Sequence, residues 1–437
     1  MIYHLFQYLE RTGLDFPGLG LMHYISFRAI LASVTAVLIA LIAGKGIIRV
    51  LQRKQIGETV RDLGLQGQIE KKGTPTMGGV IILLSILTGV LLFCDLTNIY
   101  VQLMLLSAVW CGALGFADDY IKVFRHNKEG LSEKKKLIGQ IVLGFIIGIA
   151  VWQSKDIVVR EKVRDESVQI VEQGDTRTVN TETLVTDSVY KEENVVKSTK
   201  TTIPFVKNHE FDYRSLSPFS GAMGWYTKWA IYVLVIIFII TACSNGVNLT
   251  DGMDGLATGT TAIVGVVLGI LAWLGGNLIN SNYLNIMYLP GTGEIAVFMA
   301  AMVGALMGFL WYNSYPAAIF MGDTGSLALG GIIGVSAVLL RKELLLPVLC
   351  GIFFMESLSV ILQTAYFKMY KKKHNGAQGR IWSRTPLHHH YQKNSIPEGY
   401  IKYPKPNPPH HEAKITLRFW IVGILLAVST LALLKIR

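Results

Sequence analysis

The sequence predicts an all-α polytopic membrane protein with about ten transmembrane helices and a β-rich extracytoplasmic insertion. Three observations carry that expectation. The 437 residues are 51% hydrophobic and only 16% charged, with a mean hydropathy of +0.41, a balance that ordinary soluble domains do not show. Apolar runs near the roughly 20 residues needed to span about 30 Å of hydrocarbon recur along the chain. Between Trp152 and Thr227 those runs stop, and β-favouring residues alternate with charges of both signs.

Taken in order, the apolar runs cover residues 25–48, 80–93, 101–116, 137–151, 229–243, 260–274, 295–311, 327–340, 344–365 and 415–434, several of them short unless flanking residues extend the helix. They divide the chain into a membrane half over 1–151, the insertion over 152–227, and a second membrane half over 228–437 that includes a polar loop at 368–414. Residues 1–20 mix His4, Glu10, Arg11 and Asp15 with apolar side chains and carry no A-x-A-like cleavage site, so no removable leader is expected. Cys94, Cys111, Cys243 and Cys350 fall in or beside apolar runs, where cysteine behaves as a small hydrophobe, so no disulfide framework is expected. Within the insertion, 156–163, 167–172, 181–190 and 194–206 alternate as strands do, and a disordered linker is the competing reading.

The net charge of +11 is unevenly placed. Lys45, Arg49, Arg53, Lys54 and Arg61 follow the first run, Lys122, Arg125, Lys134, Lys135 and Lys136 the third, and Lys368, Lys371, Lys372, Lys373, Arg380 and Arg384 the ninth. By the positive-inside rule these exits face the cytoplasm and both termini face out; Arg341 and Lys342 fall on the other side and count weakly against it. Topology and anionic lipid explain basic loops in general. An anionic cytoplasmic substrate is the sharper reading, and no nucleic-acid partner is expected.

The chemistry-bearing stretch is Ser244-Asn245-Gly246-Val247-Asn248-Leu249-Thr250-Asp251-Gly252-Met253-Asp254-Gly255, which sets amides and carboxylates between two apolar runs. A carboxylate near the bilayer centre costs about 2.5 to 3.5 kcal/mol on insertion scales, so such acids usually line a site or a cleft. On a helical turn Asp251 and Asp254 would share a face, while Asn245 and Asn248 can bond a base, a sugar or backbone groups. Capping accounts for any single one of them.

Other motifs have similar double readings. Lys71-Lys72-Gly73-Thr74-Pro75-Thr76-Met77-Gly78-Gly79 suits the first turn of the second span, with the glycines permitting close packing. Asp118 and Asp119 end the third run, and because adjacent helical residues diverge by about 100° they should have different tasks. Asp118 and Lys122 at i, i+4 form an ion pair worth about 0.2 to 0.5 kcal/mol if exposed, or belong to metal or phosphate chemistry. Asp323, flanked by glycines just before a helix, can hold both a cation and a phosphate, or act as an N-cap. Glu356 is a buried-acid candidate without a role. His388, His389 and His390 lack the i, i+4 spacing of a helical metal pair, and beside Arg384 they suit phosphate contacts instead.

Residues 71–79, 116–122, 245–256, 311–326 and the string Pro386-Leu387-His388-His389-His390-Tyr391 resemble, in order, the motifs of the phospho-N-acetylmuramoyl-pentapeptide transferase family, within the polyprenyl-phosphate N-acetylhexosamine-1-phosphate transferase superfamily. The histidine string points to the muramoyl branch. The resemblance covers both membrane halves and leaves out the insertion. It implies transfer of phospho-N-acetylmuramoyl-pentapeptide from UDP-N-acetylmuramoyl-pentapeptide to undecaprenyl phosphate, giving lipid I and UMP with Mg²⁺, at a cytoplasm-facing site in the bacterial inner membrane. It also implies Asp118, Asp119 and Asp323 as catalytic acids, with Asp323 at the metal. Asn248, Asp251 and Asp254 would line the site. Lys71 or its neighbour Lys72, Lys122, Lys134 or Lys136, Asn313, His388, His389 and His390 would contact the nucleotide and pyrophosphate. Membrane lipid and a second copy in a homodimer complete the expected partners. The nearest rival is a sister enzyme acting on UDP-N-acetylglucosamine. A transporter would instead show repeat-related broken spans.

Overall fold

The computed structural model describes residues 1–13, 18–54, 73–125, 127, 129–160, 195–204, 206, 210–375, 377–392, 399–404 and 408–434. Every predicted apolar run is helical. In chain order the helices are α1 (Ile2–Arg11), α2 (Ile25–Arg53), α3 (Gly79–Phe93), α4 (Ile99–Phe124), α5 (Glu133–Gln153), α6 (Gly221–Thr250), α7 (Leu256–Gly275), α8 (Leu278–Leu284), α9 (Gly293–Asn313), α10 (Gly322–Leu339), α11 (Leu346–Leu349), α12 (Gly351–Lys373), α13 (Leu387–Tyr391) and α14 (Glu412–Leu433). Among the described residues eight helices, α2, α4 to α7, α9, α10 and α14, are long and apolar enough to cross a membrane. A ninth candidate is broken, its two segments Glu343–Leu349 and Gly351–Lys373 bent by 80°. The remaining predicted span, α3, has only 15 residues. The expected count of about ten therefore resolves into eight full spans, one bent pair and one short helix.

The centre of the bundle is α10, in which every residue from Thr324 to Leu339 is buried. Its sequence, rich in Gly, Ala and Ser, lets backbones approach where larger side chains would hold them apart. A methyl group on Gly330 would lie 2.5 Å from Ser244 Cα, one on Gly331 would lie 2.7 Å from Cys111 Sγ, and one on Gly79 would lie 2.5 Å from Gly325 Cα. Helices α4, α6 and α3 pack on α10 in this way. On the other side α9 lies against α2 and α7. All four cysteines are free and buried.

Alternating helix directions bring the exits after α2, α4 and α12 to one end of the bundle, the end that also holds the start of α10. The opposite end is closed by polar contacts. Arg28 donates to Glu294 at 2.8 and 2.5 Å, a bidentate pair in which Arg28 is 3% exposed. Arg341 and Lys342, which argued against the topology from charge alone, lie buried at this end. Lys342 Nζ donates to Thr202 Oγ1 at 2.6 Å, Arg341 stacks on the Tyr232 ring at 4.9 Å, and Tyr232 OH donates to Glu343 at 2.5 Å. They are structural charges, so they carry no weight as a sidedness signal. Burial pushes the Lys342 ammonium down to about 8.

Three sequence expectations change. Residues 74–77 lie ahead of the helix rather than in its first turn, with Met77 at a φ of +73°, because Gly78 N and Gly79 N donate to Phe320 O and Met321 O at 2.8 Å while Phe320 N donates to Pro75 O at 2.9 Å. Residues 251–255 form a loop between α6 and α7, so Asp251 and Asp254 do not share a helical face; a turn rich in glycine leaves the helix after Thr250. The insertion's described strands are short: β1 (Val159–Arg160) pairs with β2 (Val195–Val196), and β3 (Lys200–Thr202) pairs with β4 (Glu210–Asp212), both antiparallel. The strands expected at 167–172 and 181–190 lie outside the described residues. At the other end, β5 (Gly379–Trp382) and β6 (Tyr400–Tyr403) pair in parallel, one before and one after the histidine helix.

Candidate active site

Four elements converge where α10 begins. Asp118 comes from the last turns of α4, Lys136 from the first turn of α5, Asn248 from the last turn of α6, and Asp323 from the first turn of α10. Lys122 Nζ lies 2.5 Å from Asp118 Oδ2 and 3.3 Å from Asp323 Oδ2. Lys136 Nζ lies 2.9 Å from Asp118 Oδ1 and 2.5 Å from Asp323 Oδ2. Asp118 also accepts the Leu131 N–H at 2.7 Å. The turn that delivers this N–H needs Gly130, whose φ is +64° and where a side chain would meet Asp118 Oδ1 at 2.6 Å. The opposite carboxylate oxygen of Asp323, Oδ1, accepts from Asn248 Nδ2 at 2.8 Å.

The Asp118–Lys122 pair is thus part of a partly buried network. Asp118 is 0% exposed, whereas a solvated surface pair would be screened and weak. Holding two acids and two ammoniums together makes each carboxylate tolerable at this depth.

Asp119 does a different job, as the divergence of neighbouring helical residues required. Its Oδ1 accepts the Asp323 N–H at 3.1 Å, and its Oδ2 accepts the Thr324 N–H at 2.9 Å and the Thr324 hydroxyl at 2.5 Å. It therefore caps α10 from a neighbouring helix, satisfying N–H groups for which Met321, at the N-cap, offers no side-chain acceptor.

Oxygens of Asp118, Asp119 and Asp323 lie within 4.8 Å of one another and could hold a metal ion. An all-carboxylate set suits a hard divalent cation that prefers oxygen ligands.

The other expected site residues are distributed around this centre. Asp254 is buried; its Oδ2 accepts the Ala317 N–H at 3.0 Å, and its own N–H donates to Glu412 at 2.8 Å. Asn313 accepts from Gly255 N at 3.2 Å and Thr258 Oγ1 at 2.6 Å and donates to Ile319 O at 3.0 Å, tying together the loops before α7 and α10. Asp251 caps the C-terminus of α6 and is partly exposed. Lys134 is exposed on α5, while Lys136 enters the cluster. Lys71 and Lys72 lie outside the described residues.

The histidines point three ways. His388 is fully buried beside Glu356, His390 Nδ1 pairs with Ser383 Oγ at 3.0 Å, and His389 Nδ1 pairs with Gln392 at 3.1 Å. Burial holds the His390 imidazole below its ordinary range.

Sequence reasoning had no role for Glu356 or Gln140 and left Lys134 and Lys136 unresolved. A signal was present for the last two: Lys136, Gln140, Leu143, Gly144 and Ile147 follow the i, i+4, i+7 spacing of one helical face, and from Gln140 on that face is buried.

Comparison with known proteins gives a consistent pattern. Residues 195–341 match the family model described as glycosyl transferase family 4, and residues 71–83 match the phospho-N-acetylmuramoyl-pentapeptide-transferase signature 1. The chain is 52% identical over 439 residues to a protein of Parabacteroides distasonis, 51% over 437 residues to one of Flavobacterium psychrophilum, and 50% over 442 residues to one of Porphyromonas gingivalis. Each bears the name phospho-N-acetylmuramoyl-pentapeptide-transferase, and each alignment covers 100% of both chains.

Proposed function

The chain belongs to the phospho-N-acetylmuramoyl-pentapeptide-transferase family, and from that premise we propose that it moves phospho-N-acetylmuramoyl-pentapeptide from its UDP carrier to undecaprenyl phosphate, yielding lipid I and UMP. The observation that carries the reading is the Asp118–Lys122–Lys136–Asp323 network at one end of an apolar bundle. An oxygen of the lipid phosphate forms a bond to the sugar-bearing phosphorus of the diphosphate, and the bond from that phosphorus to the bridging oxygen breaks, the oxygen leaving with UMP. Both partners are anionic, so catalysis is largely positioning and charge neutralisation.

Lys122 and Lys136 stand where the diphosphate oxygens would bind, and Asn248 holds Asp323 in register. Asp118, gripped by two ammoniums and a backbone N–H, is fixed in orientation. That favours a role in orienting the acceptor phosphate or taking its proton over one as a nucleophile that must swing toward phosphorus. Mg²⁺ held by this carboxylate cluster, with Asp323 as its expected ligand, would offset phosphate repulsion and stabilise the departing UMP. We assign the site to the cytoplasmic side of the bacterial inner membrane because the basic loops leave the bundle at the same end. The homodimer belongs to the same proposal, and molar mass in detergent by light scattering tests it.

The decisive assay is UMP release by purified protein with undecaprenyl phosphate and Mg²⁺. Release from UDP-N-acetylmuramoyl-pentapeptide is expected; release only from UDP-N-acetylglucosamine would assign the sister activity instead.

A further inference from the structure

Glu356 takes no part in the carboxylate–lysine centre, yet it is an acid with 0% exposure inside α12. Such a group persists only where its oxygens are satisfied. Among the described residues, the polar contacts of its carboxylate are with His388. The two carboxylate oxygens lie 3.2 and 3.4 Å from the His388 N–H, and Oε2 lies 3.3 Å from His388 Nδ1. His388 is itself 0% exposed. With its backbone and Nδ1 both facing Glu356, the ring directs its other edge the opposite way.

That edge faces Gly252. A methyl group built on Gly252 would collide with His388 Nε2 and lie 2.9 Å from Cε1. The Gly252 backbone does not adopt the left-handed region that favours glycine, so the requirement there is for space. The ring occupies the volume in which any other residue would place its side chain. Gly252 lies in the loop that follows Asn248, the residue donating to Asp323. A continuous set of contacts therefore runs from Glu356 through His388 to the loop that borders the proposed reaction centre.

We propose that Glu356 is a positioning residue for the transfer: by accepting the His388 backbone N–H and lying against the Nδ1 side of its ring, it sets the imidazole edge against Gly252 and so fixes the wall formed by the 248–255 loop. The inference rests on the reaction proposed above. A purely structural Glu356 would stabilise α13 whatever stood at position 388, whereas a positioning residue acts through the ring.

The test uses full-length protein in detergent, with initial rates of UMP release giving kcat and KM separately for the nucleotide sugar. Gly252→Ala is expected to lower kcat/KM by about ten- to a hundredfold in the wild-type background, the scale of a small misplacement near a reacting centre. Added to His388→Ala, it should change the remaining rate by less than about twofold, because no ring is left to strike. Glu356→Gln should likewise lose its effect in the His388→Ala background. Losses that multiply independently, or a near-normal Gly252→Ala enzyme, would overturn the proposal. Should Glu356→Gln fail to fold, Glu356→Asp, which keeps the charge but draws the carboxylate back from His388, takes its place in the same cycle. Wild-type UMP release is the control that separates failure of the transfer reading from failure of this one. If the wild type releases none, the His388 ring resonance, assigned by its loss in His388→Ala, must still shift in Gly252→Ala, and an unmoved resonance rejects the contact.

Discussion

The Asp119 carboxylate accepts both the backbone N–H of Thr324, at 2.9 Å, and the Thr324 hydroxyl, at 2.5 Å, so the helix carrying Asp323 starts on an acid supplied by another helix. Its neighbour Asp118 turns instead to Lys122 and Lys136. Adjacent acids with separate partners should fail in separate ways. Asp119→Asn is expected to cost about 0.5 to 2 kcal/mol of stability, the usual worth of a cap, with a lowered melting temperature in detergent. Asp118→Asn should keep the melting temperature within about 2 °C while UMP release falls steeply. Equal loss of activity with no loss of stability in both variants would contradict the division of labour.

Asp323 gathers three other members of the centre, since Lys122, Lys136 and Asn248 all bond its side chain. Asp323→Ala should reduce turnover by about a hundred- to a thousandfold, the scale of a lost preorganised charge contact, with expression and solubility retained. Activity within about twofold of wild type would remove it from the site.

Lys136 and Lys134 sit two positions apart on α5, and only Lys136 reaches the carboxylates. Lys136→Met is expected to lower kcat/KM at least about tenfold more than Lys134→Met. Kinetics on the two variants, with circular dichroism to check folding, settles which lysine serves the diphosphate.

At the far end of the bundle, Arg28 and Glu294 form a buried bidentate pair joining α2 to α9. Arg28→Met leaves the Glu294 charge buried and unpaired, so the protein should lose about 3 to 5 kcal/mol of stability. The paired change Arg28→Met with Glu294→Gln should recover part of that loss, read as the melting temperature in a common detergent.

Much of the chain's organisation was legible from residue order. The spans could be located because the cost of transfer from water to hydrocarbon is a property of each short window of sequence. Asp118, Asp323 and Asn248 stood out because amides and acids at the margin of apolar runs are too costly to be incidental. First-turn and helical-face rules were less informative at 74–78 and 251–255, where pairing with distant backbone and glycine-rich geometry overruled the helical reading. The charges of Arg341 and Lys342 were misleading for a related reason: a sidedness rule counts residues, whereas these two are absorbed by Thr202, Tyr232 and the hairpin packed on them.

Residue order alone specifies a multi-pass membrane protein with acids and lysines gathered at the ends of its spans, since hydropathy and local polar motifs depend only on neighbours in the chain. Tertiary structure alone decided that Asp119 caps while Asp118 binds the lysines, that Lys136 rather than Lys134 enters the centre, and that Glu356 holds His388 against Gly252. Each of those choices depends on which face of a helix meets which partner across long sequence separations. Close approach at Gly330, Gly331 and Gly79 fixes those faces, and no local pattern specifies it in advance.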